Sequence, residues 1–291
     1  MVKTYLKERK LIIDEHVKTL LHSDKKEFDL LFNAMNYSLL DGGKRIRPIL
    51  MMATVEALGN SSRDYLDIAC SIECIHTYSL IHDDLPAMDD DKYRRGKLTN
   101  HSVYGDGLAV LAGDGLLTYA FELIGRQQIN PELLCSIMYI LAKAAGPYGM
   151  VGGQAFDLAS EGKKITLDEL KVMHKAKTGE MFKAAIAIGG ILGGATAEQQ
   201  KALLSYADFL GLTFQITDDI LDVIGNEKML GKPVGSDEKN HKATYVTILS
   251  LVEAQRLAQE AANQAVDAIQ CFDGRADILR EIVRYLLVRA V

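Results

Sequence analysis

Runs of β-branched residues in alternation with polar ones are nearly absent from this chain, which argues against any sheet-based architecture. Proline is scarce: Pro48, Pro131, Pro147 and Pro233 each sit beside glycine, asparagine or polar residues and Pro86 follows an aspartate pair by two, with long proline-free stretches between them. Four cysteines, Cys70, Cys74, Cys135 and Cys271, lack the spacing of a disulfide framework or a zinc site, and for the Cys70/Cys74 pair buried thiols are expected. No basic run is long enough to line a polyanion groove, and the net charge is -6, so nucleic acid is not an expected partner. The N-terminus is charged throughout and carries no signal-peptide apolar stretch. The most apolar segment, AAIAIGGILGGA at 184–195, is too short and too glycine-rich to span a bilayer. These absences predict a cytoplasmic protein with no membrane span. GxxxxGK[ST] is missing, and no GxSxG or Cys/His dyad stands out, so neither a P-loop nor a side-chain nucleophile is indicated.

What is there is helical. The chain has 291 residues, 48% hydrophobic and 25% charged, enough to bury a substantial core. ADILREIVRYLLVRAV places Ile278, Ile282, Tyr285 and Leu286 on one face, and EAQRLAQEAANQAVDAIQ is rich in strong helix formers. TAEQQKALLSYADFLGLTFQITDDILDVIG opens on a capping-box pattern, Thr196 to Glu198-Gln199, and stays compatible with helix to Gly225. The expectation is an all-α protein, a single large helical bundle spanning 1–291 as one domain, with roughly ten or more helices.

One weak internal echo carries the chemistry. LIHDDLPAMD and QITDDILD are both Asp-Asp pairs approached by an apolar helix, and in a bundle two such patches can occupy facing positions. In DDILD, Asp218 and Asp222 are four apart and share a helical face, with Asp219 about 100° around. Like charges at that spacing, flanked by Phe214, Ile216, Ile220 and Leu221, need a counter-charge, which a lysine, an arginine or a divalent cation can supply. The first motif is wider: Asp83, Asp84 and Asp89. Pro86 predicts that the helix ends near Asp84 and that Asp89 folds back from the turn. A helix C-terminus favours a cation, and oxygen ligands without a histidine or cysteine partner suit Mg2+ or Mn2+ rather than zinc. Mg2+ bound by few carboxylates completes its shell with water and substrate phosphates. That gives Arg94-Arg95 a role, because arginine forks match phosphate oxygens. DGGKRIRP suggests a second anion site, with Gly42-Gly43 ending one helix, Pro48 opening the next, and Lys44 and Arg47 converging at the junction.

These motifs resemble those of the trans-isoprenyl diphosphate synthases, most closely the bacterial farnesyl diphosphate synthases. The resemblance runs nearly the whole chain, through GGKRIRP, ECIHTYSLIHDDLPAMDDDKYRRGKLTNH, LAGDGLLTYAF, GMVGGQAFDLASE, KTG, FQITDDILD and GKPVGSDEKNHKATY. It implies an isoprenoid-synthase bundle around a central apolar cavity, acting as a prenyltransferase and a homodimer. It assigns Asp83, Asp84 and Asp89, with Asp218, Asp219 and Asp222, to about three Mg2+ ions per active site. Arg94, Lys177, Thr178, Gln215 and Lys232 match allylic-diphosphate contacts, with Lys242 near the leaving diphosphate. Lys44, Arg47, His76 and Arg95 match the isopentenyl diphosphate site. His76, Ser79 and Asp83 fall on one helical stripe, which agrees.

The implied substrates are isopentenyl, dimethylallyl and geranyl diphosphate, and the implied product farnesyl diphosphate. Tyr78, about 7.5 Å before Asp83 along a helix, is implied as the residue closing the tail pocket at C15. Helix angles alone place Ser79 more nearly beneath Asp83. Lys92, Leu98 and Val246 depart from the common family pattern without replacing a charged participant. A longer-chain (C20) synthase, a terpene cyclase and a non-catalytic subunit of a heteromeric synthase are the rival readings.

Overall fold

The computed structural model describes residues 1–224 and 243–288. They form fourteen α-helices and one two-stranded hairpin, so the all-α expectation holds. The described residues group into two compact units.

The first unit takes in Lys3–Ile49 and Ser62–Met138. Its helices are α1 (Val2–Val17), α2 (Asp29–Leu39), the first turn of α3 (Ile46–Ala57), α4 (Leu66–Asp83), α5 (Asn100–Tyr104), α6 (Asp106–Gly125) and the start of α7 (Pro131–Ala145). Strands β1 (Tyr93–Arg94) and β2 (Lys97–Leu98) pair antiparallel between α4 and α5. The axis of this unit is α4 against α6, with α2 packed on both. From Ile68 to Ile75 every side chain of α4 is buried. A helix with no polar face must be surrounded, and here small residues allow it: a Cβ on Gly113 of α6 would stand 2.1 Å from the His82 ring. Cys70 and Cys74 lie in this core, and burial pushes both thiols up, as their spacing predicts, whereas Cys135 and Cys271 are exposed.

The second unit takes in Leu50–Ser61 and the described part of Tyr139–Val291. It contains the rest of α3 and of α7, then α8 (Met150–Ser160), α9 (Leu167–His174), α10 (Glu180–Leu192), α11 (Ala197–Ile224), α12 (Tyr245–Leu249), α13 (Leu251–Ala268) and α14 (Asp277–Val288). The long α11 is its axis, packed by α10 and α13. The predicted capping box starts α11: Thr196 N–H donates to Gln199 Oε1 at 2.9 Å and Gln199 N–H returns to Thr196 Oγ1 at 3.2 Å. In α14 the buried stripe is Leu279, Ile282, Val283 and Leu286, so Ile278 and Tyr285 lie at its rim rather than on it. Tyr206, its ring buried, donates its hydroxyl to Leu279 O at 2.8 Å, a partner outside the local pattern.

Two stretches, Asp106–Gly125 and Pro131–Ser160, are long and apolar enough to cross a membrane by length and composition. The second is two helices, since α7 ends at Ala145 and α8 starts at Met150.

Candidate active site

The first unit builds the first motif at the end of α4. The helix stops at Asp83, where Pro86 predicts it, and Asp89 N–H donates back to Asp83 O at 2.9 Å. Asp90, with φ 50, bonds its N–H to Leu85 O and completes the turn. The backbone at Asp89 is thus folded back onto the end of α4. Asp84 is buried, and Arg94 Nε donates to its Oδ1 and Oδ2 at 2.8 and 2.9 Å while Nη2 reaches Oδ1 at 2.6 Å. Burial raises the Asp84 carboxyl above its ordinary range, and the Arg94 guanidinium opposes that rise.

Arg94 and Arg95 are delivered by the hairpin. Its turn residues Arg95 and Gly96 both have positive φ, 53° and 81°, which is the twist a two-residue hairpin requires. Tyr37 Oη donates to Leu98 O at 2.8 Å and Lys97 pairs with Asp41 at 2.5 Å, fixing the hairpin to α2 and the loop after it. Consecutive arginines then part company: Arg94 takes Asp84, and Arg95 Nη1 donates to Gly42 O at 3.0 Å. Gly43, at φ +102, has to be glycine twice over, since a Cβ there would also sit 2.7 Å from the Arg95 guanidinium. The glycines do not end α2, which stops at Leu39. The loop runs on to α3 at Ile46, placing Pro48 in the first turn, where its missing N–H costs nothing.

Lys44 is exposed in that loop and Arg47 lies on the first turn of α3. Burial brings the Arg47 guanidinium down to about 10, with Glu73 opposing. His76 on α4 is pushed well below its ordinary value by burial and then by the positive charges of Arg47 and Arg95. The imidazole is therefore neutral at pH 7 among cations, a setting suited to an anionic ligand. On the same helix Tyr78 is 5% exposed and meets His82 edge-on at 5.7 Å. Ser79 turns its hydroxyl to His76 O at 2.9 Å.

In the second unit, Asp219 and Asp222 of α11 are buried and Asp218 half-buried. Gln215 Nε2, one turn earlier, donates to Asp219 Oδ1 at 3.0 Å, and the Tyr245 backbone N–H donates to Oδ2 at 2.8 Å. Lys177 and Thr178 occupy a π-helical turn, Lys175–Gly179, between α9 and α10. Two glycines let neighbours close on it: a Cβ on Gly153 would be 2.2 Å from Lys177 N, and one on Gly211 3.2 Å from Gly179 Cα. Lys177 Nζ donates to Asp157 Oδ2 at 2.6 Å. Sequence spacing misses both the π turn and Asp157, although Asp157 lies inside GMVGGQAFDLASE. Lys232 and Lys242 lie outside the described residues.

Among the described residues, no three His, Cys, Asp or Glu side chains form a cluster that could by itself hold a metal ion. The donor set nevertheless fits a hard divalent cation. It is all oxygen, the backbone of Asp89 folds back to Asp83 at a helix C-terminus, and Mg2+ takes few protein ligands where phosphate supplies the rest.

Comparison with known proteins decides what these parts belong to. Residues 28–284 match the polyprenyl synthetase model. The chain belongs to the polyprenyl synthetase family. It is therefore a prenyltransferase, and its activity in coarse terms is prenyl chain elongation. It is 56% identical over 77% of both chains to a farnesyl diphosphate synthase of Geobacillus stearothermophilus, and 44% identical to a geranylgeranyl diphosphate synthase of Cyanophora paradoxa, covering 98% of this chain and 96% of that one. Among solved structures it resembles an FPP/GFPP synthase from Zymomonas mobilis (TM-score 0.88, 36% identity, 98% of each chain). It also resembles a geranylgeranyl pyrophosphate synthetase from Pyrococcus horikoshii (TM-score 0.90, 33% identity, 99% of this chain and 98% of that one). These polyprenyl synthetase relatives span more than one product length.

Proposed function

We propose that the protein makes (2E,6E)-farnesyl diphosphate by head-to-tail condensation of isopentenyl diphosphate with dimethylallyl and then geranyl diphosphate. The observation that carries the C15 reading is Tyr78, a buried aromatic on α4 five residues before Asp83 and braced edge-on by His82. His82 is itself held, its Nε2 3.0 Å from Val110 O, so the ring cannot easily yield to a longer tail. The C20 reading draws support from the similarity to the Cyanophora paradoxa protein over nearly the whole chain.

Asp83, Asp84, Asp89, Asp218, Asp219 and Asp222 are the residues to hold magnesium, which when bound neutralises charge on the departing diphosphate. Arg94 and Lys177, with Thr178, Gln215, Lys232 and Lys242, bind the allylic diphosphate. Arg94 suits this by the same fork that here embraces both Asp84 oxygens. Lys44, Arg47, His76 and Arg95 hold isopentenyl diphosphate, with His76 contributing a neutral hydrogen-bonding group. Once the allylic C–O bond breaks, the isopentenyl double bond attacks the cation and a proton is lost. The chain's part is positioning and charge stabilisation in an apolar setting that keeps water from the cation. The same reading takes 1–291 as one catalytic domain and the protein as a cytoplasmic homodimer. The presence of all six aspartates speaks against a non-catalytic subunit, and GGKRIRP against a cyclase.

The test is chromatography of products from the purified chain with dimethylallyl and isopentenyl diphosphates, with and without EDTA. Farnesyl diphosphate lost on chelation is the expected result. Tyr78→Ala moves the product toward geranylgeranyl diphosphate; an unchanged profile rejects the floor role.

A further inference from the structure

Arg45 stands between Lys44 and Arg47, yet it does not join them. Its backbone is left-handed, φ 51, and its side chain is 1% exposed. A non-glycine residue in that region is strained and persists only where surrounding contacts over-determine it. The contacts are these. Nε donates to Asp14 Oδ1 of α1 at 2.9 Å, Nη1 to Glu73 Oε1 of α4 at 2.8 Å, and Nη2 to the carbonyl of Leu39, last residue of α2, at 2.7 Å. One guanidinium thus ties three helices to the end of the loop that carries Lys44 and leads into Arg47 on α3.

Glu73 does more than accept that bond. It is 2% exposed and lies three residues before His76, on the adjacent turn of α4. Its charge also acts on Arg47 and on Arg95, both of which burial disfavours in the charged form. Asp14 is shared with Lys10 of α1, so Glu73 is the carboxylate whose charge reaches beyond Arg45 and steadies cations that would otherwise repel one another.

We infer that Asp14, Arg45 and Glu73 form a positioning triad, buried at Arg45 and Glu73, that sets the loop and α4 in the register at which Lys44, Arg47, His76 and Arg95 receive the diphosphate of the non-allylic substrate. None of the three touches that substrate. The inference rests on reading those four residues as the isopentenyl diphosphate site.

A merely structural ion pair would lower stability without favouring one substrate, so the test reads the two substrates separately. Glu73→Gln keeps size and an oxygen facing Arg45 Nη1 while removing the charge. The Michaelis constant for isopentenyl diphosphate rises about 10-fold, while that for geranyl diphosphate and the saturating kcat stay within about twofold. Asp14→Asn, at the more exposed end of the triad, shifts the same constant by about threefold and carries the test if Glu73→Gln does not fold. Arg45→Lys, which keeps charge but loses the three-way fork, does not rescue. Equal rises for both substrates, or a lowered melting temperature with both constants unchanged, overturn the triad. Failure of the unaltered protein to condense the two diphosphates overturns the underlying reading instead.

Discussion

The two aspartate motifs use the same residue type and solve the problem of burying it in opposite ways. At the end of α4, Asp84 is met by a charge, the forked Arg94 guanidinium, carried on a hairpin separate from the helix. In the last third of α11, Asp219 accepts from neutral dipoles, the Gln215 amide one turn away and the Tyr245 backbone N–H. The first arrangement sets a cation on the carboxylate; the second holds the carboxylate by two neutral N–H donors. A helix terminus permits the first, because the chain is free to turn and return. Within α11 the backbone bonds are spent on the helix, and the partners of Asp219 come from a side chain one turn away and from the N–H that opens α12.

The largest effect that separates the two comes from neutralising each in turn. Asp84→Asn and Asp219→Asn are each expected to lower kcat by about 10^3-fold, since both remove transition-state charge stabilisation. They part company in stability. Asp219→Asn turns an NH2 toward a donor and loses about 1–3 kcal/mol, whereas Asp84→Asn loses less, because its ionised form was already disfavoured by burial. Urea unfolding at pH 7 reads the difference, and equal losses break the comparison.

Acid comes next. Burial pushes His174 in the second unit down to about 4, with Lys177 adding to the fall and Asp157 opposing it. The folded protein therefore favours neutral imidazole, and its contribution to stability is present above pH 6.5 and drains away as pH falls toward about 4. The expected loss is about 3 kcal/mol over that window, and His174→Gln flattens it. His76 in the first unit titrates in the same direction but sits among arginines, so its variant alters substrate binding as well. A melting-temperature series against pH for both variants sharpens the contrast.

The smallest effect is in the partners. Arg94→Gln leaves a buried carboxylate without its counter-charge and is expected to cost about 1–3 kcal/mol, against about 1 kcal/mol for Gln215→Leu. The order of the two unfolding midpoints checks it.

Much of this was legible in the sequence wherever the cause is local. Pro86 forbids the helix to pass Asp84, Thr196 and Gln199 cap α11, and the spacing of Asp218, Asp219 and Asp222 sets their angular order. The absence of strand-like alternation predicts the all-α fold that is found. Elsewhere the local pattern misled: the buried stripe of α14 takes in Leu279 and Val283 in place of Ile278 and Tyr285, and the loop after α2 is longer than its glycines suggest.

Local preferences act over about one helical turn, so the sequence by itself determined where helices start and stop and which carboxylates share a helix. Which partner each charged side chain takes was decided only by the tertiary structure. Arg45 finds Asp14 and Glu73 at separations of 31 and 28 residues, and Lys177 finds Asp157 at 20. A buried charge takes whichever opposite charge the packing of the helices brings within about 3 Å, and no spacing rule reaches that far along the chain.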